Sequence, residues 1–270
     1  MKPSVLITGA CGGMGKATAE SLARAGFRVF ALDRVMGEGS EDIIPIRADL
    51  TDEESVIAAY QQVRQNTESL FAVIHFAGIY MLDSLVEMET EEFERIFKIN
   101  LGGVFLVNKT FLPLLCAGSR ILITTSELAP LDPLPFTGIY AVTKSALDKY
   151  AYSLRMELQL KEIGVSVLRA GAVTTGMLSV STAALERFHK KTNLYTCNAD
   201  RFSRIVNRVE ARSVSPEAIA KKVVRLLRKR KTKFAYTINR NPLLLLLNVL
   251  PDGIQFWIIK QILKSKNGVS

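Results

Sequence analysis

The chain has 270 residues and opens with a short apolar run followed by a glycine-rich turn, Ser4-Val-Leu-Ile-Thr8-Gly9-Ala-Cys-Gly-Gly13-Met14-Gly15. The apolar run predicts a buried strand, and the residues after Gly15 predict a helix. Glycines at these positions let the backbone turn sharply and approach a pyrophosphate, whose charge is stabilised by the N–H groups of the helix N-terminus. The stretch therefore predicts a dinucleotide site that includes Gly9, Gly13, Met14 and Gly15.

The first 170 residues alternate short apolar runs with amphipathic stretches, which is typical of βαβ units and a parallel sheet. Strands are predicted at Ser4–Thr8, Arg28–Asp33, Ile43–Ala48, Ala72–Phe76, Arg120–Thr125 and Val165–Arg169, with a last strand at Phe234–Ile238. Helices are predicted at Gly15–Ala25, Glu53–Gln65, Glu91–Leu115, Tyr140–Lys161 and Pro216–Arg230. The pattern predicts an α/β fold, a single doubly wound Rossmann-type domain over residues 1–270 with a central parallel sheet and helices on both faces.

Two segments lie outside this alternation. Residues 175–213 have weak periodicity and follow a strand's carboxyl end, where ligands bind in doubly wound folds, so we interpret them as a substrate lid. Residues 240–270 form an apolar C-terminal extension.

Cysteine usage bears on the compartment and on metal binding. The chain has an odd number of cysteines and no C-x-x-C pair, which indicates a reducing compartment and argues against a disulfide framework or a zinc site. We expect no bound metal. The first strand begins close to Met1, without a charged and then apolar leader, so we expect a cytoplasmic protein.

The formal net charge is +9, and much of the excess lies between Lys221 and Lys233. The simplest interpretation is a surface helix with a solvated basic face. A sharper hypothesis adds the apolar extension at 240–270, because apolar side chains beside basic ones suit peripheral membrane contact. No apolar run reaches the roughly 18 to 20 residues that cross a bilayer. We expect no nucleic-acid partner.

Acidic residues at the ends of the second and third strands predict the cofactor. Asp33 can accept hydrogen bonds from the adenosine ribose hydroxyls and would repel a 2′-phosphate, which favours NAD over NADP. The adjacent Arg34 would compensate in part, and a simple turn residue is the alternative for Asp33. Asp49 and Leu50 are candidates for adenine contact, in competition with a helix cap before Glu53.

The segment Tyr140-Ala-Val-Thr-Lys144 carries the chemistry. Spacing of four residues on a helix places both side chains on one face. A free tyrosine has a pKa near about 10, and a neighbouring ammonium lowers that pKa toward the working range of an acid or base. Ser126 would hold the oxygen whose proton Tyr140 gives or takes. His75 is an alternative base, although its simpler role is to order backbone near the cofactor.

These motifs together resemble the short-chain dehydrogenase/reductase superfamily, and in particular its hydroxysteroid and retinol dehydrogenase-like members. The matching positions are Thr8-Gly9-x-x-x-Gly13-x-Gly15, Ala77-Gly78, Asn100, Ser126, Tyr140-x-x-x-Lys144 and Gly171-Ala172-Val173-Thr174-Thr175. The resemblance implies that Tyr140 is the catalytic acid/base, that Lys144 lowers its pKa and binds the nicotinamide ribose, and that Ser126 binds the substrate oxygen. It implies that Asn100 anchors a water and that the cofactor also contacts Ala77, Gly78, Val173 and Thr175. Because Ser126 precedes Tyr140 by one residue more than is common in the family, Thr125 is the fallback.

The substrate is predicted from the apolar character of the surrounding segments. Candidate substrate contacts are Ser126, Tyr140, Phe136 and Met177, which suit a bulky lipophilic alcohol or ketone such as a hydroxysteroid. A 3-oxoacyl-type reductase, a retinol-like dehydrogenase and an NAD-sensing regulatory protein are the alternatives. The resemblance implies a homodimer or homotetramer, and the two long central helices carry apolar residues in excess, including Phe105, Phe111, Leu147 and Leu154.

Overall fold

A computed structural model shows seven strands in the described part of the chain: β1 (Ser4–Thr8), β2 (Arg28–Asp33), β3 (Ile43–Arg47), β4 (Leu70–His75), β5 (Leu115–Ser126), β6 (Gly164–Ala170) and β7 (Ala235–Ile238). They form one sheet in the order β3-β2-β1-β4-β5-β6-β7, and every neighbouring pair is parallel. The structure describes residues 2–174, 176–210 and 212–264, with the backbone alone at 176–182 and 207–210.

Ten α-helices accompany the sheet in the part of the chain just given: α1 (Gly13–Arg24), α2 (Glu53–Asn66), α3 (Thr90–Phe97), α4 (Gly103–Phe111), α5 (Gly138–Leu158), α6 (Gly176–Lys191), α7 (Thr196–Glu210), α8 (Pro216–Leu227), α9 (Pro242–Leu247) and α10 (Asp252–Leu263). Local signals explain several boundaries. The Asp52 carboxylate accepts the N–H of Glu54 and caps α2, and Gly26 ends the turn after α1 at a φ of 89°.

Helices cover both faces of the sheet, which confirms the predicted α/β, doubly wound Rossmann-type fold. Alternate strand residues point to opposite faces. On one face Val5, Ile7 and their neighbours pack against α1 and α8. On the other face Leu6 and Phe30 pack against α2 and α4, while α5 covers the inward residues of β5 and β6.

The strand order reverses beside β1, which pairs with β2 on one side and β4 on the other. The connections that leave these strands diverge to opposite faces and open a crevice at the carboxyl edge of the sheet. Such a switch point is where open α/β sheets bind ligands. The glycine turn that follows β1 lies at this crevice.

The prediction of one continuous helix over Glu91–Leu115 is wrong. Helix α3 ends at Phe97, a π-helical turn spans Lys98–Gly102, and α4 resumes at Gly103. The turn brings the fully buried Asn100 to face the chain after β4, where its amide bonds the backbone of Ile79. Since a π turn contains an extra residue, periodicity alone does not reveal it.

The segment predicted as a lid forms helices α6 and α7. An aromatic cluster holds these helices on the loop before α5: the Phe136 ring centroid lies 4.6 Å from that of Phe188 and 5.1 Å from that of Phe202. At the far end of α6, the Lys191 ammonium pairs with the carboxylates of Asp83 at 2.7 Å and Glu92 at 2.9 Å.

The C-terminal extension packs on the loop after β5 through polar contacts. The Asn241 N–H donates to the Glu127 carboxylate at 2.6 Å, and the Asp132 N–H donates to the Asn248 side chain at 2.6 Å. Gln255 donates to Asp132 at 3.3 Å. Helices α9 and α10 therefore lie at the carboxyl edge of the sheet.

The hypothesis of membrane contact assumed that the basic residues after α8 lie next to the C-terminal extension. In the structure they do not. Helix α8 runs back toward the amino edge of the sheet, so the basic residues that follow it, Arg228 to Lys233, precede β7 at that edge. The extension follows β7 at the opposite edge. Among the described residues, no helix has both the length and the hydrophobicity that crossing a bilayer requires.

A largely buried ion pair fixes α5 on the sheet. The Asp148 carboxylate accepts two hydrogen bonds from the Arg169 guanidinium on β6, at 3.0 and 2.6 Å, and a third from the Thr125 hydroxyl at 3.3 Å. A two-point contact of this kind has a defined geometry and is stronger than a neutral hydrogen bond.

Replacement of Asp148 by alanine should lower the free energy of unfolding by about 3 kcal/mol, because Arg169 is left without its carboxylate in a largely enclosed site. The control is Lys109→Ala, which removes the Lys109–Glu53 pair, whose side chains are 57% and 52% exposed. That loss should stay below about 1 kcal/mol. Chemical denaturation of both variants checks the difference, and equal losses would contradict it.

Candidate active site

The glycine turn after β1 depends on close backbone approach. Gly9 has a φ of 70°, and a Cβ at this position would lie 2.6 Å from the Ala77 nitrogen. A Cβ at Gly15 would lie 2.1 Å from the Gly9 carbonyl oxygen. Helix α1 begins after Gly12, which has no side chain to cap it, so its first N–H groups are open to a ligand. The turn therefore fits a pyrophosphate.

A cleft of about 810 Å³ extends from this turn along the ends of β2, β3 and β4. Ten of the residues predicted for the cofactor line it: Gly9, Gly13, Met14, Gly15, Asp33, Arg34, Asp49, Leu50, Ala77 and Gly78. Side chains of α3 and the π turn, among them Arg95 and Lys98, form the outer wall. The cleft extends from Asp33 and Arg34, at the end of β2, to Gly78 and Ile79, which it shares with a second cavity.

The two acidic candidates are held by backbone N–H groups. The Asp33 carboxylate accepts from Cys11 at 2.9 Å and from Val35 at 3.2 Å, so it also fixes the glycine turn. Asp49 accepts from the Thr51 N–H at 2.9 Å, and this bond is the main reason why its pKa is lowered. Because Asp52 caps α2, the alternative of Asp49 as the cap is excluded.

A second cavity of about 200 Å³ adjoins the cleft and shares Met14, Phe76, Gly78 and Ile79 with it. Ser126, Tyr140 and Lys144 line this cavity together. The remaining walls are mostly apolar and come from the loop after β5, from α7 and from α9: Leu128, Leu134, Phe202, Ile205, Val206 and Leu244. The structure thus brings three of the four side chains predicted to be catalytic to the junction of the two cavities.

Helix α5 presents its polar residues in a line to the end of β5. Tyr140 is hydrogen-bonded to the Ser126 side chain, and the Lys144 ammonium donates to the Thr124 carbonyl at 3.2 Å. Asp148 accepts from the Thr125 hydroxyl one turn further along. Because the Thr125 hydroxyl is engaged by Asp148, Ser126 and not Thr125 is the partner of Tyr140.

The expected lowering of the tyrosine pKa is not what the structure shows. Burial raises the pKa of Tyr140 to about 12, and the hydrogen bond with Ser126 opposes that rise without cancelling it. Burial also lowers the pKa of Lys144 to about 8. The ammonium lies 5.7 Å from the centre of the Tyr140 ring, over its face. At neutral pH Tyr140 is therefore a protonated phenol, which is a proton donor.

Asn100 connects the two sides of the site. Its Oδ1 accepts the Ile79 N–H at 2.8 Å, and its Nδ2 donates to the Ile79 carbonyl at 3.0 Å and to the Thr143 hydroxyl at 3.2 Å. A Cβ at Gly78 would lie 3.1 Å from Oδ1 of Asn100 and 3.5 Å from Nζ of Lys144. Asn100 and Lys144 therefore face the same narrow space.

His75 does not serve the site as a base. It is buried in the sheet, where its Nε2 pairs with the Asn108 amide oxygen at 2.9 Å. Burial lowers the pKa of His75 to about 4, so the ring is neutral at physiological pH. The role in ordering backbone that the sequence favours is consistent with this position.

Phe136, predicted as a substrate contact, has its ring in the aromatic cluster with Phe188 and Phe202 and does not line the cavity beside Tyr140. Val173 is buried on the wall of that cavity and pairs with Val214. Thr175 and the side chain of Met177 lie outside the described residues.

Three residues at the site escaped the sequence analysis. Asp148 follows Lys144 by the same four residues that separate Lys144 from Tyr140, and this repeated spacing was a usable signal. Glu127 is a buried carboxylate on the cavity wall whose pKa is raised by burial. Leu244 reaches the cavity from the C-terminal extension, a long-range contact that leaves no local signal.

The lowered pKa of Lys144 makes the stability of the fold depend on pH. Between pH 8 and 10.5 the unfolded chain binds a proton at Lys144 that the folded chain does not, so this group makes stability rise with pH in that window. We expect the unfolding free energy of the wild type to rise relative to that of Lys144→Met over this window, measured without nucleotide.

Lys149→Met, at an exposed position on the same helix, provides the baseline for this comparison. Since Tyr140 is present in all three proteins, its own titration cancels. If the difference in unfolding free energy between the wild type and Lys144→Met stays constant from pH 8 to 10.5, Lys144 is charged and well solvated in the folded chain.

Comparison with known proteins identifies relatives. The chain is 31% identical to a versicolorin reductase of Emericella nidulans, over 65% of this chain and 71% of that protein. It is 30% identical to an NADPH-dependent 1-acyldihydroxyacetone phosphate reductase of Schizosaccharomyces pombe, over 65% of this chain and 61% of that protein. It is 31% identical to mouse estradiol 17-beta-dehydrogenase 2, over 64% of this chain and 49% of that protein.

Solved structures share the fold. A short-chain dehydrogenase family protein from Francisella tularensis matches 88% of this chain and 97% of its own at a TM-score of 0.74 and 21% identity. The 3-ketoacyl-(acyl-carrier-protein) reductase of Brucella melitensis, complexed with NADH, matches 87% of this chain and 96% of its own at a TM-score of 0.71 and 21% identity. The family model described as short chain dehydrogenase matches residues 3–186. The chain therefore belongs to the short-chain dehydrogenase family.

Proposed function

We propose that the protein is an NAD(H)-dependent oxidoreductase that interconverts a secondary alcohol and a ketone on a bulky lipophilic substrate of the hydroxysteroid class. The proposal rests on the hydrogen-bonded Tyr140–Ser126 pair, which faces an apolar cavity at its junction with a dinucleotide-sized cleft. Cofactor chemistry and acid–base chemistry meet at such a junction.

Each polar residue of the site has a separate task. Ser126 donates a hydrogen bond to the substrate oxygen, and Tyr140 transfers the proton to or from that oxygen. The protonated phenol of the resting site is the form that carbonyl reduction requires. Lys144 binds the nicotinamide ribose and stabilises the phenolate that remains after proton transfer, while Asn100 holds the π turn against the site. Bound NAD(H) supplies or accepts the hydride.

Cofactor preference is assigned to the carboxylate of Asp33. Its position at the end of β2, beside the glycine turn, supports contact with the ribose hydroxyls and repulsion of a 2′-phosphate. The NADH complex of the Brucella protein agrees with this preference, whereas the Schizosaccharomyces relative is named for NADPH. Arg34 lines the same cleft and is the residue that would favour a 2′-phosphate.

The cavity walls support a lipophilic substrate. Leucine, isoleucine and phenylalanine side chains surround the Tyr140–Ser126 pair, and the buried Glu127 disfavours substrates with carboxylate or phosphate groups. A volume of about 200 Å³ is small for a sterol, so α6 and α7 must move outward as a lid to admit one. The similarity to an estradiol dehydrogenase agrees with this substrate class.

We also propose a homodimer or homotetramer that pairs α4 and α5 with their copies. Two of the residues expected at this surface, Phe111 and Leu147, are not available for it, because both are buried in the core. Phe105 remains 49% exposed, and Val142, Tyr152 and Met156 add exposed apolar surface on α5. The three free cysteines support placement in a reducing compartment such as the cytoplasm.

Removal of the Tyr140 hydroxyl should lower turnover steeply while NAD binding persists. In Tyr140→Phe the ring keeps its packing against Tyr80, but the acid is lost, so kcat should fall by about 10²- to 10⁴-fold. Tyr152→Phe, the same change at an exposed position of the same helix, should retain activity. Steady-state kinetics with a panel of hydroxysteroids and simpler secondary alcohols, alongside NAD titration, measures both.

Activity retained by Tyr140→Phe would assign the proton to another residue. If the wild type binds NAD yet turns over no alcohol or ketone of the panel, the NAD-sensing alternative is favoured.

Neutralising Asp33 should relax the choice of cofactor. Asp33→Asn removes the negative charge but keeps an oxygen for the backbone N–H groups, so the ratio of kcat/KM for NAD to that for NADP should fall about tenfold or more. Arg34→Ala should move the ratio in the opposite direction. An unchanged ratio in Asp33→Asn would remove Asp33 from the ribose site.

A further inference from the structure

The C-terminal extension has an outer surface that the fold does not use. On α9, Leu243 and Leu246 are 67% and 65% exposed, and on α10, Phe256 and Trp257 are 72% and 62% exposed. Val249, between the two helices, is 81% exposed. Large apolar side chains clustered on one short segment, rather than scattered over the surface, mark an interaction site.

Helix α10 combines this apolar surface with positive charge. At about 100° per residue, Phe256, Trp257 and Lys260 fall within one arc of about 100° around the helix, and Lys264 follows directly after the helix as its C-cap. The buried Gln255, which anchors the helix to Asp132 and to the Leu250 carbonyl, lies outside that arc. Aromatic rings next to lysines on one face are the composition of helices that lie in the interface of an anionic membrane.

Helix α9 joins this surface to the substrate cavity. Leu244 lines the cavity beside Tyr140, while Leu246, about 160° away around the helix, faces outward. The buried carboxylate of Glu127 holds the start of the helix through the Asn241 N–H. Helix α9 therefore contributes Leu244 to the cavity wall on one side and Leu246 to the outer apolar surface on the other.

We infer that α9 and α10 dock the enzyme on an anionic lipid surface, from which a lipophilic substrate enters the cavity beside α9. The entry step rests on the proposed function, whereas docking itself does not. The positive charge that matters belongs to Lys260 and Lys264, not to the basic stretch after α8, which lies at the other edge of the sheet. A second copy of the chain is the competing occupant of this face, and the experiment distinguishes it.

The chain carries its own reporter, because Trp257 is its only tryptophan. With full-length protein, phosphatidylcholine vesicles that contain phosphatidylserine should shift the Trp257 emission to the blue, and brominated acyl chains should quench it. Phosphatidylcholine alone should bind much more weakly. A Trp257 spectrum that no vesicle changes would overturn the proposal.

Two double variants, each compared with a control, separate the contribution of apolar insertion from that of charge. Leu246→Ser with Phe256→Ser should abolish vesicle binding, whereas Leu160→Ser, at a residue 82% exposed after α5, should not. Lys260→Gln with Lys264→Gln should weaken binding to anionic vesicles about thirtyfold, since each basic residue near such a surface contributes a factor of about five. Arg230→Gln with Lys231→Gln removes the same charge elsewhere and should have little effect. Equal losses in both charge pairs would overturn the assignment to α10.

Two further readouts decide the occupant and the entry step. A blue shift that appears with protein concentration alone, together with a doubled mass that Phe256→Ser abolishes, would assign the face to a second copy and overturn lipid docking. For a ketone presented in vesicles, the Leu246→Ser and Phe256→Ser pair should raise KM and leave kcat unchanged, with no effect on a small soluble ketone. Docking without any turnover would reject the proposed function alone.

Discussion

One alignment supports the whole site: three residues of α5, each four apart, bond the last three residues of β5. Tyr140 meets Ser126, Lys144 meets the carbonyl of Thr124, and Asp148 meets Thr125. The two-point contact between Asp148 and Arg169 then fixes the helix on the next strand. A small rotation of α5 would break all of these contacts together, so the position of the proposed catalytic residues is set by the packing of a helix on a sheet.

The same packing determines the charge state of the site. Lys144 is buried and its ammonium has a carbonyl rather than a carboxylate as its partner, which explains why its pKa is lowered. Tyr140 is shielded by Tyr80, whose ring meets it edge to face at 4.8 Å. Both effects favour neutral forms. The chain alone therefore builds a proton donor, and an electrostatic change at the proposed nicotinamide position would be needed to favour the phenolate.

Much of this arrangement was predictable because it follows short-range rules. The glycine turn, the strand-end Asp33 and the i, i+4 spacing of Tyr140 and Lys144 are local patterns with one structural meaning each. Positions that depend on distant packing were not predictable. Phe136 is in an aromatic cluster with residues more than 50 positions away, and Leu244 reaches the cavity from beyond the last strand. The pKa of Tyr140 depends on burial, which spacing does not report.

The π-helical turn at Lys98–Gly102 imposes a limit on the length of the segment between β4 and β5. Deletion of one residue there would let α3 run into α4 as regular helix and rotate everything on one side of the junction by about 100°. Asn100 would then leave Ile79 and Thr143. Insertions and deletions should thus be rare between residues 90 and 111 among homologues that keep the amide, even though much of α3 is solvent-facing and would otherwise tolerate them.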